Sequence, residues 1–265
     1  MNAKIDIWLV GNTGLRNPNR IQEGLAVFAN SSYVGKLHGR DHEIGFMKLL
    51  NEKGIIQNES GKDESGSHAR KWRLMFSKNG FIYPQVKKKD ILLSYPYESM
   101  DPFLQLIKEA AFHPDVMTIK ITIYRLAKKA RLVEYLCAAA ENGKEVTVLI
   151  ELRARFDEQN NIDWSERLEE AGCRVLYGFD GYKVHSKLCL ITYRNRNEIR
   201  YITQVGTGNY NEKTAKMYTD YSLMTSHQGI GEDAAVFFKN MSIGNLDGEY
   251  HHLIVSPFSL KRKVL

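Results

Sequence analysis

The chain has 265 residues, of which 43% are hydrophobic and 11% aromatic, so it can build a sizeable core. Its formal net charge of +6 favours a polyanionic partner, a class that includes nucleic acid, anionic membranes and phosphate polymers. No apolar run reaches the roughly 18 residues of a membrane span, and the N-terminus lacks the pattern of a secretory signal peptide. We therefore expect a cytoplasmic protein, without a disulfide framework or zinc site, in which the three scattered cysteines are buried.

Residues 1–80 form an N-terminal segment of uncertain structure, rich in Asn, Gly, Ser and His and poor in periodic runs. Within it, residues 5–10 are typical of a strand and residues 44–52 of a short helix. The polar stretch 58–67 predicts a flexible loop, and we expect a separate domain to follow it.

Strand and helix patterns alternate after residue 81. Predicted strands cover residues 90–95, 116–124 and 145–152, and predicted helices cover 101–112, 131–142 and 163–171. Asp101 and Pro102 suit an N-cap and first turn, whereas Gly143 and Gly172 suit helix ends. This alternation predicts an α/β domain over residues 81–265, with a mainly parallel sheet, helices on both faces and ligands at the carboxyl ends of strands.

An imidazole and an ammonium group stand two residues apart further along the chain. His185 and Lys187 belong to the run VHSKLCLITY, whose apolar and β-branched content predicts a strand, so both side chains should point to one face. In phosphoryl transfer the imidazole could attack the phosphorus while the ammonium stabilises the negative charge of the phosphate. The pattern has low specificity on its own, since most strand histidines pack or face solvent.

Two further features indicate a phosphate site. The GTGN turn that ends at Asn209 follows a predicted strand at 199–205, and its glycines let the backbone approach an oxyanion. Arg125 and Arg155 follow two predicted neighbouring strands, where planar guanidinium groups could clamp phosphate oxygens. A surface ion pair is an equally open interpretation of these arginines.

Four runs together resemble the first catalytic C-terminal domain of the long-form bacterial polyphosphate kinases, which belong to the phospholipase-D-like superfamily. The runs are IKITIYR, ENGKEVTVLIELRARFDEQNNIDW, LEEAGCRVLYGFDGYKVHSKLCLI and VGTGNYNEKTAKMYTDYSLMT. The resemblance covers about residues 81–265 and leaves residues 1–80 unmatched. It implies a phospholipase-D-like mixed α/β fold and reversible transfer of the ATP γ-phosphate to inorganic polyphosphate through a phosphohistidine.

The resemblance also implies roles for individual residues. His185 matches the phosphorylated histidine, and Lys187 and Asn209 match the lysine and asparagine that would stabilise the transferring phosphoryl group. Tyr218 matches a tyrosine of the nucleotide site.

Arg125 and Arg155 match two arginines of the family's magnesium and phosphate site. A guanidinium has no free lone pair for a metal, so we expect these arginines to hold the phosphates that bind Mg²⁺. The partners that the resemblance implies are ATP or ADP and polyphosphate, in a homo-oligomer with peripheral membrane association and without nucleic acid.

Two alternative functions stay open. A phospholipase-D-like nuclease or phosphatidyltransferase could use His185 and Lys187 in a homodimer, although such enzymes carry an aspartate where this chain has Thr192. A non-catalytic polyanion-binding module could use the same cationic side chains without turnover. The family's second phospholipase-D-like domain has no counterpart before Leu265, so we expect weak or no polymer synthesis from the isolated chain.

Overall fold

The computed structural model describes residues 81–127, 130–152, 158–257 and 260, together with four short strands near the N-terminus. These strands are β1 (Ala3–Ile5), β2 (Ile7–Leu9), β3 (Gln57–Asn58) and β4 (Trp72–Arg73). The strand predicted at 5–10 overlaps both β1 and β2, and residues 6 and 10 lie outside the described residues. The helix predicted at 44–52 and residues 59–67 of the predicted loop lie outside the described residues, whereas Asn58, the first residue of that loop, belongs to β3.

Between residues 82 and 177 strands and helices alternate as the sequence patterns predict, whereas residues 182–225 hold four strands and a 3-10 helix but no α-helix. The helices are α1 (Ile82–Val86), α2 (Asp101–Phe112), α3 (Arg131–Glu141), α4 (Glu158–Glu170) and α5 (Gln228–Ser242). The strands are β5 (Ile91–Tyr95), β6 (Val116–Ile123), β7 (Glu145–Ile150), β8 (Arg174–Tyr177), β9 (Tyr182–Val184), β10 (Leu188–Asn195), β11 (Glu198–Gly206), β12 (Asp220–Thr225) and β13 (Leu253–Val255). A 3-10 helix covers Thr214–Lys216.

The ends of two helices differ from the prediction. Helix α2 has Met100 at its N-cap, and Asp101 is the first helical residue rather than the cap. There its carboxylate accepts a hydrogen bond from Ser99 Oγ at 2.7 Å and pairs with Arg131 Nη2 at 2.6 Å. Helix α4 starts at Glu158, earlier than the predicted residue 163.

The central sheet contains seven strands in the order β5-β12-β11-β10-β6-β7-β8. The pairs β6–β7 and β7–β8 are parallel, and the other four neighbouring pairs are antiparallel. The mixed α/β sheet is confirmed, but its predicted parallel majority is wrong. For one of the four antiparallel pairs the reason is local: β10 and β11 are joined by a two-residue turn containing Arg196, whose φ is 56°, and so short a connection can only join antiparallel strands.

Helices cover both faces of this sheet, as predicted. Because side chains alternate along a strand, Cys189 packs in the core beneath α2 and α3, whereas Leu188 and Leu190 pack on the opposite face with α5. On that second face Phe237 of α5 is fully buried. Cys137, Cys173 and Cys189 are buried as expected. In the parts of the chain that the structure describes, no helix combines the length and apolar character needed to cross a bilayer.

Antiparallel pairing determines which strand ends meet at one edge of the sheet. The carboxyl ends of β6, β7 and β11 lie beside the amino ends of β10 and β12, because antiparallel neighbours run in opposite directions. Outside the central sheet, β1 pairs with β9 in parallel, and β2 pairs with β13 antiparallel. This edge therefore collects the loops that follow β6 and β11 and the segment that precedes β10.

Candidate active site

The segment 185–187 lies between two strands rather than inside one. β9 ends at Val184 and β10 begins at Leu188, so the strand predicted over 184–193 is wrong at residues 185–187. His185 is half-buried, whereas Lys187 is only 5% exposed. The Lys187 ammonium donates a hydrogen bond to the carbonyl oxygen of His185. The two side chains nevertheless converge on one neighbour.

That neighbour is Tyr124, the residue that follows β6. The His185 and Tyr124 ring centroids are 5.0 Å apart, with an edge-on interplanar angle of 71°. Lys187 Nζ lies 5.4 Å from the Tyr124 ring centroid, and Arg125 Cζ lies 5.6 Å from it. Both cations are within reach of the negative face of the aromatic ring. An imidazole, an ammonium and a guanidinium thus surround a single tyrosine, and we call these four residues the Tyr124 cluster.

Lys187 also connects this cluster to the glycine-containing turn after β11. Its carbonyl oxygen accepts a hydrogen bond from Gly206 N at 2.9 Å. The positive charge of its ammonium interacts electrostatically with the half-buried carboxyl of Asp220, the first residue of β12. Burial raises the pKa of this carboxyl, while a hydrogen bond from Thr207 and the Lys187 charge oppose the rise. A buried lysine needs such partners, since a lone ammonium is rarely removed from water.

The turn at residues 206–209 packs tightly against β12. A Cβ on Gly208 would lie 2.6 Å from Asp220 Cγ, and one on Gly206 would lie 2.8 Å from Gln204 Nε2. Thr207 Oγ1 donates to Asp220 Oδ1 at 2.7 Å. Close packing therefore explains why glycine occupies positions 206 and 208, which the sequence did not reveal: a side chain at either position would collide with the protein itself. Asn209 Oδ1 is buried here without a hydrogen-bond partner.

Tyr218 is not one of the four residues of the Tyr124 cluster. It is 60% exposed on the loop between the 3-10 helix and β12, next to Met217, which is 67% exposed. Its backbone N–H donates to Thr214 O at 3.0 Å, which holds this part of the loop. Arg155 lies outside the described residues.

Helix α4 holds the loop that carries the cluster. Asn161 is fully buried, and its Nδ2 donates to Tyr124 O at 2.9 Å and to Glu151 O at 2.8 Å. One side chain thereby joins the loops that follow β6 and β7. Trp164 Nε1 donates to Ala127 O at 3.2 Å and ties the next part of the same loop.

The residues present suit magnesium that arrives with phosphates. The described part of the chain has no group of three or more His, Cys, Asp or Glu side chains that could hold a metal ion. Mg²⁺ in phosphoryl transfer keeps several waters and phosphate oxygens and needs one or two protein oxygens. The unpaired Asn209 Oδ1 is an oxygen of that kind. Arg125 carries only donors and can contact the phosphates but not the ion.

Sequence reasoning missed three contributors to this site. Tyr124 had a usable signal, because it is an aromatic residue beside Arg125 at the end of a predicted strand. Asp220 and Asn161 had no such signal in the sequence. The Asp220 carboxylate contributes by its contacts with Thr207 and Lys187, and the Asn161 amide contributes by hydrogen bonds to backbone carbonyls that are distant in sequence.

Comparisons with known proteins agree with this architecture. The family model for the polyphosphate kinase C-terminal domain 1 matches residues 81–245. The chain is 46% identical over 183 residues to the polyphosphate kinase of Staphylococcus haemolyticus, covering 69% of this chain and 25% of that protein. It is 45% identical over 180 residues to the polyphosphate kinase of Halalkalibacterium halodurans, covering 68% and 26%.

A solved structure is also similar. The crystal structure of the polyphosphate kinase from Porphyromonas gingivalis matches with a TM-score of 0.63 and 36% sequence identity, over 71% of this chain and 31% of that one. The chain thus spans about a quarter of the length of the curated relatives it matches.

Proposed function

The chain belongs to the polyphosphate kinase family, and we propose that it takes part in reversible transfer of the ATP γ-phosphate to inorganic polyphosphate through a phosphohistidine at His185. The observation that carries the proposal is the Tyr124 cluster. It holds one candidate nucleophile and two cations, Lys187 and Arg125, around a single ring. Phosphoryl transfer needs little else from a protein than positioning and charge.

The proposed reaction has two displacements. An unprotonated imidazole nitrogen of His185 attacks the γ-phosphorus, an N–P bond forms, and the bond to the bridging oxygen breaks, so that ADP leaves with the electron pair. A terminal oxygen of polyphosphate then attacks the same phosphorus and the imidazole leaves. Each step transfers one phosphoryl group and can run backwards, because ADP or the end of a polyphosphate chain can take the group from the phosphohistidine.

Charge stabilisation falls to the buried and half-buried cations. The transition state is loose, with negative charge on the equatorial phosphoryl oxygens. Lys187 is 5% exposed, so its charge acts through a poorly screened medium, and Arg125 can present two parallel N–H groups. We assign Arg155 the same role as Arg125. Magnesium bound to the phosphates would neutralise further charge, with Asn209 Oδ1 as the candidate protein ligand.

The nucleotide is assigned to the loop that carries Tyr218. Its ring is 60% exposed and sits on the connection into β12, whose first residue, Asp220, adjoins the cluster through Lys187. An exposed aromatic ring can stack on adenine. The partners proposed with this assignment are ATP or ADP and polyphosphate.

The test is covalent labelling. The purified chain is incubated with γ-labelled ATP and Mg²⁺ and assayed for protein-bound label that is acid-labile and base-stable. Label should be lost in His185→Ala and kept in His251→Ala, a control at an exposed histidine. Label that persists in His185→Ala would refute the assignment of the nucleophile. Salt-sensitive polyphosphate binding without any label would support the non-catalytic alternative, and turnover of a phosphodiester would support the phospholipase-D-like one.

A further inference from the structure

We infer that Thr122 is a positioning residue, whose hydroxyl holds the segment 185–187 in the geometry that brings His185 and Lys187 to Tyr124. This inference rests on the function proposed above for His185. Thr122 lies in β6, is 0% exposed and contacts no reacting atom in that scheme.

The segment 185–187 leaves the regular hydrogen-bond ladder of the sheet. Thr122 Oγ1 donates to Ser186 O at 2.7 Å and accepts from Leu188 N at 3.0 Å. A hydroxyl can donate and accept at once, so a single oxygen meets both backbone groups. These contacts lie in the interior, where an unpaired backbone group costs as much as a lost hydrogen bond. The hydroxyl therefore takes the place of the backbone partners that a continuous strand would have.

Two other contacts hold the ends of the segment. Glu151 Oε2 accepts from Val184 N at 2.8 Å, and Lys187 O accepts from Gly206 N at 2.9 Å. Neither contact reaches Ser186, the residue between the two functional side chains. Among the contacts of the segment described above, Thr122 supplies the one at its centre.

The location of Thr122 connects the two halves of the cluster. It stands two residues before Tyr124 on the strand that also delivers Arg125. β6 and the two residues that follow it therefore supply the hydroxyl that holds the opposing segment, the ring and one cation. A change at Thr122 would move His185 and Lys187 relative to Tyr124 without substituting any of these three residues. Displacement by about 1 Å can slow a positioned reaction by about 100-fold.

The decisive comparison uses Thr122→Val and Thr122→Ser. Valine keeps the shape of threonine without the hydroxyl, and serine keeps the hydroxyl. The matched control is Thr118→Val, because Thr118 lies on the same strand and its Oγ1 has no hydrogen-bond partner. The readouts are hydrogen exchange of the Leu188 amide, the rate of label incorporation at His185 and the KM for ATP.

In Thr122→Val we expect Leu188 exchange to accelerate about tenfold or more, as for loss of one buried hydrogen bond. We expect labelling to slow by about 10- to 100-fold with KM for ATP changed less than about twofold. Thr122→Ser should restore both within about threefold, and Thr118→Val should leave both unchanged. Unchanged exchange in Thr122→Val, or faster exchange with an unchanged labelling rate, would overturn the inference.

Failure of the proposed function has a different signature. If the wild-type chain takes no label, the function fails, and the positioning role is then decided by the His185 imidazole resonances together with Leu188 exchange. Resonances that shift in Thr122→Val and return in Thr122→Ser would support the role of the hydroxyl. Identical resonances in all variants would overturn it.

Discussion

Replacement of Asn161 by alanine should destabilise the fold far more than the same change at its neighbour Asn160. The Asn161 amide is fully buried and donates to Tyr124 O at 2.9 Å and to Glu151 O at 2.8 Å. Asn160 is partly buried and donates one hydrogen bond, to Leu126 O at 3.2 Å. The two residues are adjacent in helix α4, so any effect on helix propensity is shared.

The size of the effect follows from the carbonyl groups left behind. Each buried carbonyl that loses its partner costs about 1–3 kcal/mol. Asn161 Oδ1 is itself buried without a partner, and its removal recovers about 1 kcal/mol. The free energy of unfolding should therefore fall by about 3 kcal/mol in Asn161→Ala, within a range of about 1–5 kcal/mol, and by about 0.5–1 kcal/mol in Asn160→Ala.

Urea unfolding followed by circular dichroism measures this difference. The free energy of unfolding falls with urea concentration by roughly 2 kcal/mol per molar, so the urea concentration at the midpoint of unfolding should be about 1–2 M lower for Asn161→Ala than for the wild type. If this dependence on urea concentration is the same in the variant, the lower midpoint reflects lower stability rather than less cooperative unfolding. If the two variants unfold within about 0.5 kcal/mol of each other, the reasoning from buried carbonyls is refuted.

Two further predictions concern helix α5. His227 caps this helix by accepting from Ile230 N, and burial, together with His252, holds its pKa below the usual value of about 6.5. The unfolded chain therefore binds the His227 proton more readily than the folded chain does, so the stability that neutral His227 contributes is full above about pH 6.5 and is lost as the pH falls. His227→Asn keeps a side-chain acceptor at the helix cap but does not titrate, so the urea midpoint of this variant should change less between pH 7 and pH 5 than that of the wild type. In Gly231→Ala the new Cβ would lie 2.2 Å from Tyr201 Cβ, which should cost about 1–3 kcal/mol, and an unchanged melting temperature would contradict that packing.

Local sequence patterns determined the element types. The run EVTVLI is β7, and Gly143 and Gly172 follow the ends of α3 and α4 with φ of +77° and +89°. Such features depend on propensities and caps within a few residues, which a single sequence displays. The positions of His185 and Lys187 were likewise visible as a motif. Their geometry was not.

The tertiary structure decided what the motif residues face. Four antiparallel pairings, rather than a parallel majority, bring the amino end of β10 beside the carboxyl end of β6. Thr122 reaches Leu188 across 66 positions of sequence, and Asn161 reaches Tyr124 across 37. Local patterns specify no such contacts, because strand order and direction depend on which surfaces bury each other across the whole fold. His185, Lys187 and Arg125 could therefore be identified from the sequence, whereas the Tyr124 cluster exists only because distant strands meet.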